Sequence, residues 1–369
     1  MADREIQTKQ RRLAEYLERR GLDGVLLQQR GNFAWITGGR DNHIANNTET
    51  GVAAILATAT ERVCLANTIE APRMEREELG KTGVPVVSFP WYDRKKAAAK
   101  VAEVIAGRKV AADVDPLALG LPPIAHDFVE LRWSLTDEEI ARYREGAKRA
   151  SAAMESACRS IEFGDTEHEI AGTLDYHLHQ SGCTPLVTLV ASDGRIEKFR
   201  HPLPTMRKVE SYVMLVTCAA FGGLISCLTR FVSFGPVSEA LEQKLQTIAN
   251  IDAAINLSTR PGRMLGELFH VLQQAYADNG QAEQWKLHHQ GGPTGYANRE
   301  AVATPESTTV VRPSQAFAWN PSIVGIKAED TVLCTEEGVE VLTAHSGEWP
   351  TVVGRFQGRE LGRADILVR

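Results

Sequence analysis

Apolar residues recur at helical spacing over residues 4–20, and the run stops at Gly21. Glycine takes the left-handed conformation that ends many helices, so one amphipathic helix is expected there. The short apolar run 24–27 then predicts a buried strand, and 51–56 and 62–66 predict two more. A helix over 97–105 and a strand over 109–113 follow. This alternation argues for a small α/β domain. Residues 115–125 carry Pro and Gly without any period, which places a domain junction near 127/128. Beyond it, Thr136 and Glu139 have capping-box spacing and open a helix with Ile140, Ala147, Ala150, Met154 and Ala157 on its apolar face. Thr166 and Glu169 repeat that signature for a helix ending near Gly182. Strands are expected over 187–191 and 211–219. Leu241, Leu245, Ile248, Ile251 and Ile255 line one helical face, and 264–278 predicts the last long helix, with Gly280 just past its end.

The 369-residue length favours two domains, 1–127 and 128–369. A chain that is 43% hydrophobic and 24% charged has an ordinary soluble composition. The net charge of −6 is spread along the chain with no basic run, so no nucleic-acid partner is expected. No apolar run approaches the roughly 20 residues that cross a bilayer, so no membrane span is expected. The start, MADREI, is polar and does not read as a signal peptide. Six cysteines without paired spacing point to reduced thiols and a cytoplasmic location.

Five segments stand in a telling order: YLERRGLDGVLL at 16–27, NFAWITG at 32–38, ELRWSLTDEEI at 130–140, AWNPS at 318–322 and GIKAEDTVLCTEEG at 325–338. Together they resemble the creatinase, prolidase, aminopeptidase P and methionine aminopeptidase superfamily. The resemblance implies an α/β (α+β) chain, with a small α/β creatinase-type N-terminal domain followed by a pita-bread catalytic domain of two similar halves around a pocket. In that superfamily two Asp, one His and two Glu hold two divalent cations. Carried over, those positions fall on Val216 (Thr217 with a one-residue gap), Cys227, His289, Asn320 and Glu329. One carboxylate cannot balance two dications in a pocket of low dielectric. No metal and no other cofactor is therefore expected, although one Zn²⁺ on Cys227, His289 and Glu329 is chemically conceivable.

Other residues keep chemistry of their own. His201, in KFRHPLP, matches the His that prolidase-like relatives place beside substrate and that the creatinase branch uses as a metal-free proton shuttle. The alternative is a structural loop His. His289 either orients water and substrate or is simply held by Glu329, and in a regular strand His288 would point the other way. The Gly-rich run 290–296 lacks the Lys-Ser/Thr of a phosphate loop. Tyr296, seven residues after His289, falls where relatives carry a second substrate His. Arg299 resembles a creatinase Arg that grips a carboxylate; otherwise it pairs with Glu300 or a surface Asp. Arg40, Asp41 and His43 lie in a loop that crosses into the partner's pocket in creatinase-like dimers, or that is plain surface.

The reading that follows is a metal-independent hydrolase of a C–N bond in a small carboxylate-bearing substrate, working as a homodimer. His201 is its general acid/base, with His289 and Glu329 positioning water or a cationic nitrogen. Asn320 and Arg299 bind substrate, and Tyr296, Cys227, Arg40 and His43 complete the binding set. The two pocket Glu positions of creatinase fall on Thr229 and Asn320, which argues against creatine itself. The alternatives are a non-catalytic peptide- or protein-binding module, a lyase on a small acid, and a Xaa-Pro peptidase-like enzyme with a reduced mononuclear site.

Overall fold

The computed structural model describes residues 2–369. Its first unit opens with α1 (Ala2–Arg20), which ends at Gly21 with φ +61°. There follow β1 (Gly24–Gln29), α2 (Arg30–Thr37), β2 (Thr50–Thr58), β3 (Arg62–Asn67), α3 (Ala71–Arg73), β4 (Val86–Phe89), α4 (Arg94–Ile105) and β5 (Val110–Ala112). The five strands form one mixed sheet in the order β4-β3-β2-β1-β5. Helix α4 begins earlier than its apolar pattern suggests, because Asp93 accepts a hydrogen bond from Lys96 N at 3.0 Å and caps it. Helix α2 has no amphipathic signature in the sequence because residues 32–37 are all buried.

The division between units falls at Arg132/Trp133, not at 127/128, and Thr136–Glu139 belongs to the first unit. The cause is the short helical turn His126–Arg132. Its Phe128 packs edge-on against Tyr16 and Trp35, at centroid distances of 5.2 and 5.9 Å, and so ties the turn to the N-terminal core.

Helix α5 (Asp137–Ser160), which belongs to the second unit from Ile140 onward, is followed by α6 (Glu167–Gln180). Both expected capping boxes form: Thr136 N donates to Glu139 Oε2 at 2.8 Å, and Thr166 N to Glu169 Oε2 at 2.7 Å. Next come β6 (Thr184–Ser192), α7 (Gly194–Lys198), β7 (Tyr212–Phe221), β8 (Leu224–Ser233), α8 (Glu239–Ser258) and α9 (Leu265–Asp278). The chain then turns to strands: β9 (Gly291–Thr294), β10 (Gln315–Trp319), β11 (Ser322–Ile323), β12 (Ile326–Lys327), β13 (Asp330–Cys334), β14 (Val339–Val341), β15 (Thr351–Phe356), β16 (Arg359–Ala364) and β17 (Leu367–Val368).

Two four-stranded sheets, β17-β8-β7-β6 and β14-β13-β10-β9, make the framework of this unit. They meet where β8 touches β13: Thr229 N donates to Glu329 O at 3.1 Å and Cys227 N to Thr331 Oγ1 at 2.8 Å. Strand alternation sends Val213, Leu215 and Ala219 into a core with α5 and α6, and Met214 and Val216 into a second core with α8 and α9. No helix among the described residues is long and apolar enough to cross a membrane.

Candidate active site

Where the two sheets meet, a cavity of about 270 Å³ opens. Its apolar wall is Val187 and Leu189 from β6 and Val216 and Cys218 from β7. Its polar wall is His201, His289, Asn298, Arg299, Asn320, Lys327 and Glu329. Val216 therefore holds the first of the carried-over positions. Thr217 faces away and donates its hydroxyl proton to Val187 O at 3.0 Å.

Glu329 is the electrostatic centre. Its Oε1 accepts from Arg299 Nη2 at 2.8 Å, and its Oε2 accepts from Lys327 Nζ at 2.7 Å and Thr229 Oγ1 at 3.0 Å. Burial alone would raise its pKa, but Lys327 and then Arg299 outweigh burial and hold the carboxyl down at about 2. Glu329 is a carboxylate at every working pH, and its oxygens are already occupied. Arg299 pairs neither with Glu300 nor with a surface Asp. Besides Glu329 it reaches Asn298 O at 2.6 Å and Cys227 Sγ at 3.3 Å through Nη1. The hydrogen bond from Cys218, and then Arg299, lower the Cys227 thiol pKa against the effect of burial. Lys327 lines the cavity beside it although the sequence reading missed it. The signal was available: Lys327 and Glu329 are two residues apart next to a strand, which puts both on one side.

The histidines converge. His201 Nε2 lies 3.0 Å from His288 Nε2, and His288 and His289 have ring centroids 4.7 Å apart with planes tilted by 34°. The expectation that His288 and His289 diverge fails because both lie in irregular chain just ahead of β9. Burial and then Lys327 push His288 down to about 2. Burial followed by Lys327 lowers His201, and burial followed by Arg299 lowers His289. All three are neutral imidazoles at pH 7. Gly291 N donates to His289 Nδ1 at 3.3 Å, which leaves the ring proton of His289 on Nε2.

Tyr296 does not line the cavity. It is 4% exposed, and its hydroxyl accepts from Arg142 Nη2 at 3.1 Å. Arg299 takes the pocket position instead. Seven residues before Arg299 is Gly292, in β9, with φ +150°, where an added Cβ would sit 2.5 Å from Ala301 O. The family spacing of seven thus fits Gly292 and Arg299 better than His289 and Tyr296. Arg40 and His43 belong to the first unit, where His43 Nδ1 contacts Asp41 Oδ2 at 2.5 Å; every residue lining the cavity belongs to the second.

This donor set does not fit a dinuclear centre. Its positions hold Val216, Cys227, a His or Gly, Asn320 and a Glu329 already paired with two cations. Among the described residues, His201, His288 and His289 alone form a group of three metal-ligand side chains, with one ring nitrogen from each within 4.8 Å of the others. A dication there would face Arg299 and Lys327 with one carboxylate between them. The same balance, two cations against one anion, gives the cavity a net positive charge and suits an anion. Three buried polar atoms at the cavity, Asn298 Oδ1, Arg299 Nε and Asn320 Oδ1, have no protein partner. Such atoms call for a polar ligand or water.

Residues 141–336 match the family described as metallopeptidase family M24, and residues 9–121 match the creatinase/prolidase N-terminal domain. An uncharacterised peptidase of Staphylococcus aureus is 24% identical over 223 residues, which cover 58% of this chain and 63% of that protein. The match thus spans less than two thirds of the length of such curated relatives. A Xaa-Pro dipeptidase structure from Bacillus anthracis superposes with a TM-score of 0.78 at 21% identity, over 99% of this chain and 100% of that one. A prolidase structure from Pyrococcus horikoshii gives 0.76 at 21% identity, over 92% and 99%. With the family match covering more than half of the chain and the N-terminal domain preceding it, the chain belongs to metallopeptidase family M24.

Proposed function

We propose that the protein is a hydrolase of a C–N bond in a small substrate that carries a carboxylate, and that it works without a bound metal. The observation behind this is the ion-paired group Arg299–Glu329–Lys327 set beside neutral histidines in one cavity. Arg299 Nε donates to the substrate carboxylate, and Asn298 Oδ1 and Asn320 Oδ1 accept from N–H or O–H groups beside it. His289 donates from Nε2 to the oxygen on which negative charge develops. His201 donates from Nε2 to His288 and takes a proton from water through Nδ1, then returns it to the leaving nitrogen. His288 Nδ1, 3.4 Å from Ser322 Oγ, fixes that tautomer. Xaa-Pro dipeptides carry a suitable carboxylate, and the similar structure from Bacillus anthracis is named for them.

The test incubates the full chain with Xaa-Pro dipeptides, N-acyl amino acids and ureido or guanidino acids, with and without chelator, and measures released amine. Release that survives the chelator supports the reading. Activity abolished by chelator and restored by Mn²⁺ would replace it with a metallopeptidase. An alkene product would indicate a lyase, and ligand binding without turnover a binding module.

Two further expected results belong to this reading. Protein purified without added metal should contain no stoichiometric Zn, Mn, Co or Fe, and elemental analysis finding an equivalent per chain would overturn metal independence. Light scattering should give about twice the chain mass of 40.5 kDa, with the loop carrying Arg40 and His43 supplied to the partner's pocket. A monomer at micromolar concentration would remove the shared pocket.

A further inference from the structure

Cys218 and Cys227 are register partners across the β7–β8 hairpin. Cys227 directs both of its backbone groups away from β7: its N–H donates to Thr331 Oγ1 at 2.8 Å and its carbonyl accepts from the same hydroxyl at 3.1 Å. The two residues are therefore a non-hydrogen-bonded antiparallel pair. Such pairs have Cα atoms about 4.5 Å apart, inside the roughly 4.4–6.8 Å span of a disulfide. Cys218 lines the cavity and Cys227 is fully buried against it, so a small solute meets the pair at Cys218. Arg299 Nη1 lies 3.3 Å from Cys227 Sγ, and a guanidinium at that distance favours the thiolate. All six thiols are buried, and none of the other four, Cys64, Cys158, Cys183 and Cys334, is the register partner of another cysteine.

We propose that Cys218 and Cys227 close into a reversible disulfide across β7 and β8 when a small peroxide enters the cavity. Cys218, giving its proton to the Cys227 thiolate, attacks one peroxide oxygen; the O–O bond breaks, an S–O bond forms, and the departing hydroxide takes a proton to become water. Cys218 is then a sulfenic acid. Cys227 loses its proton and attacks the Cys218 sulfur; the S–O bond breaks, the S–S bond forms, and a second water leaves. Two thiols and one hydrogen peroxide give one disulfide and two waters, with two electrons passing from sulfur to oxygen. A dithiol reverses the change. Closure turns the sulfur beside Arg299 Nη1 from a thiol into a disulfide, so the modification acts on a residue that faces the cavity. The sulfur chemistry does not depend on which bond the enzyme cleaves.

The experiment treats the full chain with hydrogen peroxide, denatures it in iodoacetamide and maps it after trypsin. Both cysteines fall on one peptide, residues 209–230, because no Lys or Arg lies between them. The expected product is that peptide two hydrogens lighter than its reduced form, with four of six cysteines alkylated in the whole chain and all six after dithiothreitol. Oxidation of Met214 on the same peptide adds an oxygen and is separable by mass. In C227S, Cys218 should instead accumulate a dimedone adduct. Six alkylated cysteines after peroxide would overturn the proposal. So would a wild-type Cys218 that goes to sulfinic acid while Cys227 stays free. Both of those readings use unmodified protein and do not depend on the variant folding.

Discussion

His201→Ala should lower kcat by roughly 10²–10⁴-fold, the usual cost of removing a positioned general acid/base, while leaving the chain folded. The loop that carries His201 does not rely on that ring for its position. The neighbouring Arg200 anchors it, donating to Ile323 O and, at 2.6 Å, to Gln284 Oε1. The pH profile gives a second handle. Burial and Lys327 lower the His201 pKa, so the neutral, proton-accepting ring persists below the ordinary value of about 6.5. The acid limb of kcat should therefore lie below pH 6.5, with kcat flat through neutrality. His289→Ala should cost less, since that ring only donates. Circular dichroism is the folding control. Near wild-type turnover in His201→Ala would shift the base role to His289 and undo the proton path through His288.

Much of the fold was legible because several helix ends carry local backbone signals. Thr136/Glu139 and Thr166/Glu169 set helix starts by a local hydrogen bond, and Gly21 sets a helix end through φ. Such signals survive without any knowledge of tertiary contacts. Helix α2 was not legible, because a helix buried on all sides has no polar face to give a period. The unit boundary was misplaced for a related reason. Phe128 sits among Pro- and Gly-rich neighbours, and only its packing against Tyr16 and Trp35 shows which core it joins.

The site was legible where residues are fixed by strand register. Val216, Asn320 and Glu329 lie at the cavity because alternation along β7 and β10 and the entry to β13 leave them there. It was not legible in the irregular chain between Leu287 and Arg299. There the adjacent histidines turn the same way, and Arg299 rather than Tyr296 enters the pocket. Cation placement was hidden as well. The loss of carboxylates at Val216, Cys227 and Asn320 is visible in the sequence. The pairing of Arg299 with Glu329 and Lys327 appears only when two chain segments are brought together.

Glu329→Gln should destabilise the second unit by about 3–5 kcal/mol, the cost of leaving buried charge without its partner. The substitution keeps shape and removes charge. Arg299 and Lys327, 13% and 5% exposed in their side chains, would then face each other across a neutral amide. The pKa of Glu329 gives an independent scale. Moving a carboxyl from 4.5 to about 2 corresponds to roughly 3 kcal/mol at about 1.4 kcal/mol per unit. The folded pKa is depressed, so this contribution is fully present above about pH 4.5 and is lost as pH falls toward 2. The wild-type protein should lose stability across that window and Glu329→Gln should lose correspondingly less. Urea unfolding of both proteins at pH 7 and pH 4 measures the difference. Adding Lys327→Met to Glu329→Gln removes one of the two stranded cations and should recover part of the loss, so the double variant should be more stable than the sum of the single changes. Midpoints at pH 7 that agree within the error of a few tenths of a kcal/mol would mean that Glu329 does not carry the ion pairs.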